Sequence, residues 1–177
     1  MTAIFALVLA GFATLVAPAL RAAGFAENWG GLTGNGEIRI TAQVADGHGN
    51  RFVAGQFLGA QAVVGPVVLT AIGSQDAFVA KLDSAGNVLW AKNFGGSSAN
   101  AISEALAVDG SGNPYLGGYF DSANLTTPAL TKIGTFDAFV LKLDAGTGAV
   151  TWAQSFGGSG AAAYGYALAV DGSGNPY

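Results

Sequence analysis

The sequence predicts an all-β chain of four-stranded antiparallel sheets, repeated end to end. Three observations predict it. Glycine is abundant, at 28 of 177 residues, while charged residues make up only 10%, against ~25% in ordinary soluble domains. Short runs rich in Val, Ile, Phe, Tyr and Trp alternate with Gly-Asn, Ser-Gly and Thr-Gly clusters, as short strands joined by tight turns require. The chain also repeats itself: ALAVDGSGNPY stands at 105–115 and again at 167–177, a period of 62, and a period of this length marks a repeat architecture.

Residues 1–23 read as a secretory signal peptide. Thr2–Leu20 is uncharged and strongly apolar, and Ala17-Pro18-Ala19 offers small residues for cleavage, with further sites near Ala22 and Ala23. The run is long for such a segment and no Lys or Arg precedes it, so a retained membrane anchor is the alternative; Gly11 and Pro18 weaken that alternative. Residues 24–37 are a lead-in. Within them FAENWGG (25–31) matches WAKNFGG (90–96) and WAQSFGG (152–158), and it reads as the outer strand of a preceding or closing unit.

Residues 38–96 form the first full unit and 97–158 the second. The first strands are IRITAQVAD (38–46) and EALAVD (104–109). NRFVAGQF (50–57) and NPYLGGYF (113–120) follow, then DAFVAKLD (76–83) and DAFVLKLD (137–144), then NVLWAKNF (87–94) and AVTWAQSF (149–156). In the second copy of the third strand, Phe139, Leu141 and Leu143 share one face at period two. Residues 159–177 begin a third unit, whose second strand has only started at Tyr177. One four-stranded sheet cannot bury both faces, whereas repeated sheets bury them against each other; this is the logic of a β-propeller. The sequence therefore predicts two full blades plus partial ones, a segment of a larger propeller. Alanines in the first strand allow close approach near the axis, and fourth-strand aromatics suit the wider rim. A β-sandwich would leave the period unexplained.

A family resemblance covers nearly all of residues 25–177. It is carried by Asp109, Gly112, Asn113, Tyr115 and Gly118 to Phe120, then by Gly134, Asp137 to Val140, Lys142 to Asp144, Trp152 and Phe156 to Ser159. This pattern resembles the bacterial β-propeller repeat of many-copy cell-surface proteins, the SBBP repeat family. The resemblance implies a propeller fold and an exported or surface location; it implies no definite activity, since fold and activity are separable.

Composition narrows the function classes. The net charge of −4 repels a phosphate backbone, so nucleic acid is not an expected partner. Membrane contact is expected only through an uncleaved N-terminal segment. The absence of cysteine excludes disulfides, thiolate metal sites and a cysteine nucleophile. DGSGN sets oxygens at Asp109, Ser111 and Asn113 like the start of a calcium loop, but Pro114 and Phe120 stand where such a loop needs Gly and a carboxylate. A hairpin turn is the better reading.

LDAGTGAVTW (143–152) resembles the tryptophan-docking motif of quinoprotein-type propellers, with Ala149 where that motif has Lys; its role there is structural, with Trp152 wedged against the next sheet. His48, the sole histidine, reads as a solvated turn residue. Asp76 and Asp137 recur at strand starts and read as caps on backbone N–H groups. Asn124-Leu125-Thr126 is a glycosylation sequon. The units differ most in Leu58–Ala71 and Asp121–Lys132, which makes these loops candidate binding segments.

No catalytic, cofactor-binding or metal-ligating residue is assigned, and no cofactor is expected. The expected function is a non-catalytic, secreted or surface-attached module, with an unidentified protein or carbohydrate at the cell surface as its partner. The alternative is the N-terminal part of an extracytoplasmic propeller enzyme, a quinoprotein-like dehydrogenase or a carbohydrate-active hydrolase, whose catalytic residues lie outside this stretch.

Overall fold

The computed structural model describes residues 32–33, 36–121 and 123–177. The apolar segment 1–23 and the strand-like 25–31 lie outside the described residues. No helix occurs among the described residues. The strands are β1 (Leu32–Thr33), β2 (Ile38–Ala45), β3 (Arg51–Leu58), β4 (Gln61–Val64), β5 (Val67–Thr70), β6 (Gln75–Leu82) and β7 (Val88–Phe94). They continue as β8 (Asn100–Val108), β9 (Pro114–Asp121), β10 (Leu125–Thr126), β11 (Ala129–Leu130), β12 (Phe136–Leu143) and β13 (Val150–Phe156).

The four strands expected of each unit are present and pair in meander order. β2, β3, β6 and β7 form one antiparallel set, and β8, β9, β12 and β13 form the next. A single parallel bridge, Gln75 to Asn100, joins the two sets. The same bridge recurs at Phe136 to Ala162, where the third copy begins. That third copy folds back as a short turn: Val170 bridges Pro176, and Ala169 and Tyr177 exchange backbone hydrogen bonds.

The segments 58–71 and 121–132 depart from their expectation as plain loops. The first carries the hairpin β4–β5, to which β1 adds a third strand; the second carries β10–β11. The reason is local: β-branched residues flank Gly65-Pro66 on both sides, which is hairpin chemistry. β10–β11 reaches back to the preceding unit, where the Gly95 carbonyl accepts from the Thr126 and Thr127 N–H groups.

Alternation decides the packing. Phe52, Ala54, Ala77, Val79, Trp90 and Phe94 from the first unit meet Leu116, Phe120, Phe139, Leu141 and Leu143 from the second in one buried cluster. The opposite residues of the first unit, Val53, Phe57, Phe78, Ala80 and Leu82, gather with Ala62, Val64 and Leu69 of the hairpin in another. A polar lock closes the first cluster. The Ala145 carbonyl of the second unit accepts from Lys81 Nζ at 2.8 Å and from Trp90 Nε1 at 3.2 Å.

Asp76 and Asp137 are fully buried and cap backbone N–H groups, as the sequence suggests. Asp76 accepts from the Ile72 and Gly73 N–H groups and from Asn93 Nδ2; Asp137 accepts from the Ile133 and Gly134 N–H groups. Removing such a carboxylate leaves buried donors without an acceptor. Asp76→Ala is expected to lower the unfolding free energy by about 3 kcal/mol in urea titrations, and Asp137→Ala by a similar amount.

Candidate functional site

The carboxylates that recur in the repeat are engaged by the backbone. Asp46, Asp109 and Asp171 each take the N–H groups two and four residues on: His48 and Asn50, Ser111 and Asn113, Ser173 and Asn175. Each also holds the side-chain amide of that asparagine. DGSGN is therefore an Asx-type turn rather than a cation loop. Among the described residues no cluster of three or more His, Cys, Asp or Glu suits a metal ion. Asp144 does the same work in the D-x-x-T-G turn, accepting from the Gly146 and Thr147 N–H groups and from Thr147 Oγ1. Trp90 is wedged against the next sheet; Trp152, for which that role was expected, stands 41% exposed. His48 lies exposed in its turn, as expected.

Asp109 is the most strongly perturbed of these groups. Burial pushes its carboxyl upward, but the Asn113 N–H, Lys142, the Asn113 side chain and the Ser111 N–H outweigh it, and the pKa falls from 3.8 to about 2. Lys142 Nζ stands 3.0 Å from Asp109 Oδ2 and over the Tyr115 ring. Tyr115 in turn donates to the Gly174 carbonyl at 2.8 Å, which ties the third copy to the second.

The candidate binding segments occupy the flank of the units. Thr127 and Pro128 from 121–132 line a cleft of about 380 Å³ with Lys92, Asn93, Phe94, Gly148 and Val150. Asn124 of the sequon uses its Oδ1 to accept from the Lys132 N–H.

A different group of side chains escaped the sequence reading. It draws on β9, the start of β12 and the segment 164–166 of the third copy, at positions where the units differ. β2 and β8 each carry a bulge, at Thr41 and Glu104, and bulges re-aim side chains. The close approach is made possible by Gly55 and Gly118 opposite: a Cβ there would stand 2.1 Å from the Arg39 carbonyl oxygen or 2.0 Å from that of Ile102. By the 62-residue period, Tyr166 follows Glu104 and Tyr164 follows Ile102. Tyr164 and Tyr166 stack at 5.6 Å and 15°, and Tyr119 meets them edge-on at 5.0 and 6.2 Å. Phe136 closes the group, 5.0 Å from Tyr164.

Glu104 and Arg39 bring charge to this row. Burial raises the Glu104 pKa and Arg39 draws it back. Burial, Glu104, Tyr166 and Tyr164 raise the Tyr119 pKa, against Arg39. Beneath the row, Thr41 Oγ1 and Ser103 Oγ lie 3.0 Å apart, a hydrogen bond between successive first strands. One signal for this group was available in the sequence. Tyr119 stands where the first unit has Gln56, and Tyr166 where the second has Glu104, within an otherwise regular repeat.

Comparison with known proteins finds no family model that matches the chain and no matching curated protein.

The depressed Asp109 pKa has a defined pH consequence. A carboxylate held below its unfolded pKa adds stability above that value, and the contribution is lost as pH falls through the folded pKa. Unfolding free energy is expected to drop by about 2 kcal/mol from this group between its unfolded value of 3.8 and about 2. Urea titrations across that range check it, and Asp109→Asn should flatten the decline.

Proposed function

We propose that the chain is a run of β-propeller blades from an exported, surface-attached protein, acting as a non-catalytic module that binds polysaccharide. One observation carries the reading. The carboxylates that recur in every unit are occupied by backbone N–H groups, while the chemistry that differs between units is a tyrosine row, exposed at Tyr164 and Tyr166, beside a half-buried carboxylate and guanidinium. Tyr166 is 65% exposed and Tyr164 42%. Flat aromatic faces suit the apolar faces of sugar rings, since an aromatic side chain offers a large rigid surface with a polar tip. Glu104 and Arg39 supply an acceptor and donors for hydroxyls. The buried cluster shared by two successive four-stranded antiparallel sets supports the propeller arrangement, and the resemblance to a surface-protein repeat supports export.

Affinity electrophoresis of the full chain in gels cast with soluble dextran, laminarin, xylan or pectin tests this. Retardation is expected in at least one gel, and Tyr166→Ala should weaken it about tenfold. The reading fails if no gel retards the chain, or if the substitution leaves retardation unchanged.

A further inference from the structure

The fourth-strand repeat carries one position that the framework leaves free to change. In the aligned copies FAENWGG, WAKNFGG and WAQSFGG the aromatic residues and the Gly-Gly pair recur, but the third residue is Glu27, Lys92 or Gln154. A negative, a positive and a neutral side chain thus take one place in the repeat. Trp90 and Phe94, two residues to either side of Lys92, are buried in the cluster shared with the second unit. Lys92 therefore belongs to the same face of β7. It is exposed, and among the described residues no hydrogen bond or ion pair engages its ammonium.

The second unit builds walls around this lysine. A Cβ on Gly148 would lie 3.0 Å from Lys92 Cγ, so the lysine stem rests on the turn that Asp144 fixes. A second wall is Thr127-Pro128, the tip of β10–β11. Thr127 and Gly95 exchange backbone hydrogen bonds, which pins that tip to the end of β7. These walls enclose the cleft of about 380 Å³, near the lower end of the ~300–1,000 Å³ typical of small-molecule sites. Pro128, Ala149 and Val150 give it apolar surface. Thr127 is exposed, and its hydroxyl takes no partner among the described residues.

We infer that this cleft binds a carboxylate-bearing sugar, a uronate unit of a polysaccharide. The Lys92 ammonium donates to the carboxylate, a charge-assisted contact. The Thr127 hydroxyl serves a ring hydroxyl, and the apolar face of the sugar ring lies on Pro128 and Val150. An aspartate or glutamate side chain would meet the ammonium but leave those apolar walls uncovered. The site shares no residue with the tyrosine row and stands without it.

Titration of the full chain with trigalacturonate, followed by amide NMR, tests it. Saturable shifts are expected at Thr127, Gly148 and Ala149, with none from the methyl ester of the same trimer, and added salt should weaken them. Lys92→Gln should weaken binding about tenfold. Glutamine suits the fold there, since Gln154 holds that place in the next copy. Lys92→Arg, which keeps the charge, should retain binding. Tyr166→Ala should leave these shifts unchanged, so either the cleft or the tyrosine row can fail while the other stands. Absent shifts, undiminished binding by Lys92→Gln, equal binding of the ester or of triglutamate, or loss of the shifts in Tyr166→Ala would each overturn the inference.

Discussion

The carbonyl oxygen of Ala145 ties one repeat unit to the next. It accepts from both Lys81 and Trp90, so an ammonium and an indole of the first unit converge on one backbone atom of the second. Apolar burial supplies most of the attraction between the sheets, but it is non-directional. Two hydrogen bonds to a fixed turn set the register in which Phe52 and Val79 meet Leu116 and Phe139. The turn is itself fixed by Asp144, whose carboxylate gathers Gly146 and Thr147. The order of dependence runs from a surface carboxylate, through a turn, to the core.

Much of this was legible in the sequence because the relevant physics is local. The strand pattern of DAFVLKLD and the N–H capping by Asp76 and Asp137 depend on neighbours a few residues away, and both appear as read. The segment 58–71 is a hairpin rather than a loop because β-branched runs flank Gly65-Pro66 on both sides, a signal the length difference from 121–132 does not carry. Trp152 was expected to wedge against the next sheet; the motif that names the position is local, but the seat it needs belongs to another unit. Trp90, at the equivalent place after a turn one residue shorter, has that seat.

The tyrosine row was not legible by motif, since Tyr119, Phe136, Tyr164 and Tyr166 come from segments far apart in the chain. What brings them together is the parallel bridge of Phe136 to Ala162 and the close approach of Gly165 to the Gly118 carbonyl. Repeat arithmetic would have exposed them: a regular pattern makes each departure conspicuous, and these departures replace polar or aliphatic residues with aromatic ones. The invariant aspartates stood out in the sequence for the opposite reason, and they serve the framework.

The bulges at Thr41 and Glu104 separate two demands that usually compete. A residue inside a ladder is held by its partners' hydrogen bonds and by packing on its face. A bulged residue stands outside that pairing, so its side chain can change at little cost to the sheet. Threonine, glutamate and tyrosine at corresponding places in three successive copies are what such freedom permits. Duplicating the unit therefore copies a scaffold together with one variable position per copy. In the first copy that position serves the seam, where Thr41 bonds Ser103 of the next unit; in the second, Glu104 stands beside Tyr119 instead.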